Sequence, residues 1–224
     1  MVDVIAYETT IERVKRNDPR VPHYQTKALA NSSVERSLKR AGFTPFLWLH
    51  PNQSVSEWYA NDAARTNAVN VKSVSKALFS ALVGVDTTLD LNAPIASFAG
   101  CAVPDALQPL SFDTLLNMTA GFTFTENVSS DIYAAPNWGC RAMQLPSEAR
   151  SGARFNYNTL HYHLAGLALA ERRGGDVATL LQNDVLDAME IQLMDGSKTA
   201  TVMSLPVVKC GCIPKICCGL ARSI

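Results

Sequence analysis

Ser73 and Lys76 have the residue types and the spacing that nucleophilic catalysis needs. They form a Ser-x-x-Lys pattern, and residues three apart lie on one face of a helix, so the amine would lie beside the hydroxyl. A serine hydroxyl becomes a good nucleophile only with a base at hand, and a lysine amine can be that base where burial favours its neutral form. About one such pattern is expected by chance in a chain this long. A helix-capping serine with a lysine that reaches water is therefore the alternative.

A β-hairpin is predicted to precede this pair. Phe43–His50 is an apolar, aromatic-rich run, residues 51–54 form a turn signal, and Val55–Ala60 resumes the strand pattern. A turn between two such runs is typical of a hairpin. Short amphipathic helices are predicted on the N-terminal side, at residues 8–16 and 32–41.

Helices are predicted to follow, and the first of them carries the pair. Asn67–Val85 has an almost wholly apolar body, and a helix that is apolar on all sides is a buried one. Cap and closing residues predict three more helices, at residues 111–121, 157–173 and 176–191. Residues 126–149 contain two prolines and a glycine and are predicted to form a loop.

Three sequence blocks, in this order, resemble the serine β-lactamase and penicillin-binding-protein superfamily. They are Val71–Lys76, Ser111–Phe122 and Gly152–Thr159. The first and the third lead into predicted apolar helices, and the second spans the predicted helix at residues 111–121. The likeness is to its class C β-lactamase-type esterases and aminohexanoate-oligomer hydrolases, and it covers about residues 5–193. The resemblance implies an α/β (α+β) fold, in which an antiparallel sheet is flanked by helices, a helical lobe lies beside it, and the site lies between them.

The resemblance also implies roles for matched residues. Ser73 would be the acylated nucleophile, Lys76 its general base, and Tyr157 a phenol that shares the proton network of the lysine. The superfamily often has Tyr-x-Asn at this point, whereas this chain has Tyr157-Asn158-Thr159, so the role of the third position stays open. The alternative for Tyr157 is an aromatic residue that fills the core. The implied substrate is a small ester, amide or β-lactam, and no cofactor is implied.

The third motif of the superfamily, Lys/His-Thr/Ser-Gly on a late strand, has no convincing copy. Lys198-Thr199-Ala200 comes too soon after Tyr157 and is interpreted as chance. The fold is therefore expected to be incomplete, without its late sheet strands, and the apolar face of residues 77–85 is expected to be exposed. Poor stability and low turnover would follow, and an inactive fragment or pseudoenzyme is the alternative to an active hydrolase.

The chain is expected to divide into residues 1–194, which belong to the hydrolase domain, and a tail at residues 195–224. Four cysteines crowd this tail, Cys210, Cys212, Cys217 and Cys218. Reading the tail from the third base of each codon permits a Gly-Gly-x-x-Arg-Met stretch followed by Asp-x-Leu-Arg-Phe-Gly, which resembles the superfamily. We therefore expect a frameshift product, which the DNA sequence would test. A cysteine metal-binding module is a minor alternative, since the paired Cys-x-x-Cys spacing of zinc sites is missing.

Other residues carry weaker predictions. His161 and His163 lie two apart on a predicted helix, so they face different ways and are not expected to share a metal. Trp138 and Tyr133 fall in the predicted loop, which the resemblance places beside the substrate cleft, and ordinary packing of a surface loop is the alternative.

Charge and composition exclude several partner classes. Twenty basic residues balance twenty acidic ones, so no nucleic-acid partner is expected, and no apolar run is long enough to span a membrane. The polar N-terminus lacks a secretory signal, which predicts a cytoplasmic protein, or a periplasmic or secreted one if a leader is missing.

Cys101 and Cys140 are predicted to be separate, buried apolar groups. The sequence leaves the oligomeric state open.

Overall fold

The computed structural model describes residues 25–29, 31–43, 45–50, 54–66, 69–70, 73–98, 100–122, 135–144, 151–189, 191, 193 and 206–207. The predicted helix at residues 8–16 lies outside them, as do the turn residues 51–53 and all of the tail except residues 206–207. Within the described residues, no helix combines the length and the apolar character that crossing a bilayer requires.

A small mixed sheet forms the N-terminal part of the described chain. Strands β2 (Pro45–Leu49) and β3 (Ser54–Tyr59) pair antiparallel, which confirms the two strands of the predicted hairpin. Strand β1 (Gln25–Ala28) pairs parallel to β3, in the order β1-β3-β2. The sheet is therefore mixed in this part of the chain, with the predicted antiparallel pair and one added parallel strand. The four residues of β1 alternate too briefly to predict a strand, and pairing with β3 determines their conformation.

Helix α1 (Ser32–Arg40) matches the predicted helix at residues 32–41. Its cap explains where it begins, because the Asn31 side chain accepts hydrogen bonds from the backbone N–H groups of Ser33 and Val34 at 3.1 and 3.3 Å. The basic residues in its last turn stabilise the helix, because their charge opposes the partial negative charge at its carboxyl end.

Helix α3 (Val74–Val85) follows a short helix α2 (Asp62–Thr66) and strand β4 (Val69–Asn70). It begins later than the predicted Asn67, because β4 pairs with strand β7 (Pro206–Val207). A capping box between Ser111 and Thr114 begins helix α4 (Phe112–Leu116) at the predicted position. The helix ends at Leu116 rather than at the predicted Gly121, and Met118 beyond it has a positive φ of 54°. The remaining elements are β5 (Ser97–Phe98), β6 (Cys101–Ala102), a 3-10 turn at Asp105–Leu107, α4 (Phe112–Leu116), α5 (Trp138–Met143), α6 (Thr159–Arg173), α7 (Val177–Leu181), a π turn at Gln182–Leu186 and a 3-10 turn at Asp187–Met189.

The apolar body of α3 is buried by neighbouring helices. Its largest side chains, Leu78, Phe79 and Leu82, are 0–1% exposed, and α3 packs against α6 and α7. The expectation that the apolar face of residues 77–85 would be exposed is therefore wrong. Helices of the described part of the chain cover that face, with α6 contributing buried leucines such as Leu160 and Leu164.

The last two predicted helices also differ in detail from the structure. The predicted helix at residues 157–173 begins two residues later, at Thr159, and ends as expected at Gly174, which adopts the left-handed conformation (φ 68°) that glycine tolerates. The predicted helix at residues 176–191 changes winding after Leu181. There the Gln182 side chain turns back, donating to the carbonyl of Ile191 and accepting from the backbone N–H of Leu193.

Helix α5 lies inside the stretch that was predicted to be a loop. The Asn137 side chain accepts from the backbone N–H of Cys140 at 2.9 Å and so caps its first turn. Packing against α6 and β6 stabilises this short helix. The flanking prolines indicate a loop in the sequence, and only tertiary contacts reveal the helical turn between them.

Cys101 and Cys140 form a disulfide, with their Cα atoms 5.2 Å apart. The prediction that they are separate buried groups is wrong. The bond joins β6 to α5 across 39 residues of sequence, and spacing in the sequence alone gives no sign of which cysteines pair. It closes a loop that contains α4.

Removing this disulfide should destabilise the fold. Closing a loop of this length restricts the unfolded chain, and we expect Cys101→Ser with Cys140→Ser to lower the free energy of unfolding by about 2–4 kcal/mol. Urea denaturation of the oxidised protein and the double variant measures the difference. Peptide mapping under non-reducing conditions is the control for the pairing. A mapped bond whose removal leaves the urea midpoint unchanged would contradict this prediction.

Asp86 connects the carboxyl ends of α3 and α6. Its side chain is only 6% exposed, and it lies 3.7 Å from Arg172 Nε and 3.8 Å from Arg173 Nη1. Burial acts to raise the pKa of Asp86, but hydrogen bonds from Thr88 and the charges of both arginines outweigh it and hold the pKa below its ordinary value. The carboxylate therefore stabilises the fold above about pH 4, and this contribution is lost as the pH falls through the lowered pKa.

Asp86→Asn should therefore destabilise the protein at neutral pH and much less in acid. We expect a loss of about 1 kcal/mol at neutral pH, because the amide keeps an acceptor for Thr88 but loses the charge. Urea midpoints at about pH 7 and about pH 3 measure it, with the exposed Asp105→Asn as control. A loss of the same size at both pH values would rule out the ionic contribution.

Candidate active site

The three residues predicted to act together meet at the surface of the helical lobe. Ser73 Oγ accepts a hydrogen bond from Lys76 Nζ at 3.2 Å and another from the phenol of Tyr157 at 2.8 Å. Lys76 Nζ also lies 5.3 Å from the centre of the Tyr157 ring. Ser73 and Tyr157 are exposed, whereas Lys76 is only 6% exposed. A reactant in solution can therefore reach the hydroxyl while the amine stays within the protein.

Helix α3 brings the serine and the lysine together. Ser73 immediately precedes α3, and the backbone N–H of Lys76 donates to its carbonyl at 3.1 Å, which places the two side chains one turn apart. The Ser73 side chain makes no capping hydrogen bond, and the Lys76 side chain is buried. The alternative of a capping serine with a lysine that reaches water therefore does not describe this structure.

Tyr157 is held in place because the residues just before it bond to the residues that follow α4. Gly152 and Asn156 donate backbone hydrogen bonds to the carbonyls of Thr119 and Met118, at 2.7 and 2.9 Å. The Asn156 side chain donates to the carbonyl of Phe122 at 2.7 Å. Two of the three predicted sequence blocks are thus joined directly. Tyr157 is 46% exposed, so the alternative of a core-filling aromatic residue is wrong.

Asn158 and Thr159 follow Tyr157 and have different partners. Asn158 is fully buried, and its side chain accepts from the backbone N–H of Leu160 at 2.8 Å, which caps α6. Thr159, at 1% exposed, places its hydroxyl 3.3 Å from Lys76 Nζ, which donates to it. The third position of this block is therefore in contact with the lysine. No rule of residue type separates a capping residue from a lysine contact here, so the sequence could not assign it.

A buried polar chain joins α3 to α6 behind the site. Ser80 Oγ donates to the carbonyl of Lys76 at 3.0 Å and lies 3.2 Å from the phenol of Tyr162, which donates to the carbonyl of Leu116 at 3.3 Å. Burial raises the pKa of Tyr162 above its ordinary value, although the Ser80 hydrogen bond lowers it in part. This phenol therefore stays protonated and ties three elements together.

The two histidines of α6 lie in the core and face different aromatic rings. His161 packs edge-on against Phe122 with ring centres 5.1 Å apart, and His163 packs against Trp138 at 4.5 Å. Trp138 thus packs between α5 and α6, in a helix rather than in the predicted surface loop, and Tyr133 lies outside the described residues. The part of the chain that the structure describes contains no group of three or more possible metal ligands.

Two exposed apolar side chains lie close to the site residues in sequence. Val74 and Phe155 are 49% and 63% exposed, and each lies within two residues of Ser73 or Tyr157 in the sequence. Lys198-Thr199-Ala200, the chance copy of a third motif, lies outside the described residues, as do the tail cysteines. Within the described residues, the candidate site therefore comprises Ser73, Lys76, Tyr157 and Thr159.

No family model matches the chain, and no curated protein matches its sequence. Solved structures do match its fold. SurE superposes with a TM-score of 0.61 at 17% identity, over 97% of this chain and 54% of its own. A penicillin-binding protein from Bacillus halodurans gives 0.56 at 15%, over 84% and 74%. A D-amino acid amidase from Ochrobactrum anthropi SV3, bound to D-phenylalanine, gives 0.51 at 17%, over 84% and 51%. The chain spans about half the length of two of these three structures.

Proposed function

We propose that this chain, which has the fold of the serine β-lactamases and penicillin-binding proteins, is a serine hydrolase that forms an acyl-enzyme on Ser73. The observation that carries this proposal is the double contact on Ser73 Oγ, from the Lys76 amine and the Tyr157 phenol. The substrate would be a small ester, amide or β-lactam. An inactive fragment with the same residues is the competing proposal, because the chain spans only part of the structures that it matches.

The proposed reaction begins with proton transfer from the Ser73 hydroxyl. When the Lys76 amine is neutral, the hydroxyl donates along the 3.2 Å contact to the nitrogen lone pair. Oγ attacks the carbonyl carbon as the proton moves to nitrogen, and the carbonyl electrons move onto its oxygen. The tetrahedral intermediate then collapses, the C–O or C–N bond breaks, and the ammonium returns the proton to the leaving group through Tyr157 or directly.

Water completes the proposed cycle. It gives a proton to the same Lys76–Tyr157 pair and attacks the acyl carbon, and the ester bond to Ser73 Oγ breaks as the proton returns to serine. The burial of Lys76 supports this role, since it holds the amine within the protein and beside Ser73 Oγ. The exposure of Ser73 supports access of the substrate.

Labelling with a fluorophosphonate tests the nucleophile. Ser73 Oγ should displace fluoride and form a bond to phosphorus, which peptide mass mapping locates. Ser73→Ala should abolish the label, whereas Ser75→Ala should keep it, because Ser75 is fully buried. Equal labelling of the Ser73→Ala protein would refute the assignment. A folded wild-type protein that takes no label would support the inactive-fragment proposal instead.

A further inference from the structure

Phe155 is a large apolar side chain that the fold leaves in contact with solvent. It is 63% exposed, the highest value among the large apolar residues in the described part of the chain. It comes two residues before Tyr157, whose phenol donates to Ser73 Oγ at 2.8 Å. The direction of the Phe155 side chain therefore decides whether a substrate on Ser73 meets it.

The chain around Phe155 alternates between inward and outward side chains. Asn156 points inward, because its side chain donates to the carbonyl of Phe122 at 2.7 Å. Asn158 is fully buried and has an extended backbone, with φ −155° and ψ 131°. Successive side chains of an extended chain point to opposite sides. Phe155 and Tyr157 therefore point outward together, and their exposures of 63% and 46% agree with this.

The outward side chains of Phe155 and Tyr157 also start close together. Alternate residues of an extended chain lie roughly 6–7 Å apart, so a substrate bonded to Ser73 that extends past the phenol would meet the phenyl ring. Asn156 fixes this arrangement before a ligand arrives, because both its backbone N–H and its side chain are hydrogen-bonded. A contact that is formed in advance loses less entropy on binding.

The proton path of the proposed reaction indicates which part of the substrate extends toward Phe155. Lys76 is only 6% exposed, whereas Tyr157 is 46% exposed, so the phenol is the proton carrier that a bound substrate can touch. The departing oxygen or nitrogen accepts a proton as its bond to the acyl carbon breaks. It therefore lies on the Tyr157 side of Ser73, and the group attached to it extends toward Phe155.

We propose that Phe155 is a specificity-determining residue that binds an apolar leaving group, so that esters or amides of apolar alcohols or amines are the preferred substrates. This inference rests on the proposed function, because a leaving group exists only if Ser73 is acylated. A phenyl ring offers dispersion contacts and a large apolar surface, so it favours alkyl and aryl groups. Phe155 takes no part in proton transfer, and it acts while the leaving group is still attached.

Two acetate esters of phenols with similar acidity isolate this contact. Phenyl acetate and 4-butylphenyl acetate give the same acetyl-enzyme, and they differ by four carbons in the leaving group. Burial of one methylene is worth about fourfold in binding, and contact with one ring secures part of this. The wild-type kcat/KM should therefore be about 10-fold higher for the butyl ester, after correction for hydrolysis of each ester by hydroxide. In Phe155→Ala this ratio should fall to about twofold.

Deacylation provides the internal control. Once the phenol has left, both esters give the same acetyl group on Ser73, so its hydrolysis should be equally fast in wild type and in Phe155→Ala. Phe155→Leu keeps an apolar side chain and should keep most of the preference. Phe43→Ala removes a half-exposed ring that packs against Phe46 of the sheet, and it should leave the ratio unchanged. An unchanged ratio in Phe155→Ala, an equal loss in Phe43→Ala, or slower deacylation in Phe155→Ala would overturn the proposal.

Binding of the free phenol separates this inference from the proposed function. If the wild-type protein forms no acetyl-enzyme with either ester, the proposed function fails. The binding of 4-butylphenol can still be followed by NMR on the signals of the phenol itself. A dissociation constant that is several-fold weaker in Phe155→Ala than in wild type and Phe43→Ala would still support the apolar contact. Equal dissociation constants in all three proteins would refute it.

Discussion

Lys76→Ala and Tyr157→Phe should each lower the rate of Ser73 acylation by about 10² or more. Both side chains contact Ser73 Oγ, at 3.2 and 2.8 Å, and positioned proton transfer contributes about this much to an enzymatic rate. Steady-state hydrolysis of an activated ester and the rate of fluorophosphonate labelling both measure the effect. The matched controls are Lys39→Ala, at an exposed residue of α1, and Tyr59→Phe, in β3.

The two losses should be far from additive. The amine and the phenol act on one oxygen, so removing the second partner after the first should cost much less than it costs alone. The double variant should therefore be only slightly slower than the worse single variant. Near-normal turnover in either single variant would remove that residue from the mechanism, and strict additivity would indicate two independent roles.

Phe79→Ala should give the largest loss of stability among the α3 variants. Phe79 is fully buried and packs edge-on against Tyr162, with ring centres 5.9 Å apart. Removing a buried phenyl ring costs about 3–5 kcal/mol, a large part of the roughly 5–15 kcal/mol that stabilises a typical protein. Val74→Ala on the same helix is the control, because Val74 is half exposed and should cost far less. Equal urea midpoints for the two variants would contradict the burial of α3 against α6.

The residues whose roles depend on local pattern were predictable from the sequence. Ser73 and Lys76 lie one helical turn apart, so their spacing alone brings them together. The apolar body of α3 indicates a buried helix, but the expected loss of late strands led to the wrong expectation that one face of it is exposed. The apolar, aromatic-rich run of β2, the strand pattern of β3 and the turn signal between them predict their pairing. The likeness of three blocks to a known superfamily adds Tyr157, which no local rule would have brought to Ser73.

Contacts that depend on tertiary packing were not predictable. Thr159 reaches Lys76 only because α6 lies across α3. The sequence alone does not show that Asn158 caps the helix while its neighbour contacts the lysine. Two cysteines with no distinguishing neighbours gave no sign of their pairing. Helix α5 is short and flanked by prolines, so its sequence resembles a loop, and its stability comes from the elements around it.

The bond between Cys101 and Cys140 also changes the path along the chain between the two halves of the site. Ser73 and Tyr157 are 84 residues apart, but the bonded path runs through 28 residues from Ser73 to Cys101 and 17 from Cys140 to Tyr157. The entropy of closing a flexible loop grows with the logarithm of its length, so this shorter path lowers the cost of bringing the two residues together by about 0.5 kcal/mol. The covalent link thus lowers the effective contact order of the site, and the oxidised chain should assemble it faster than the reduced one.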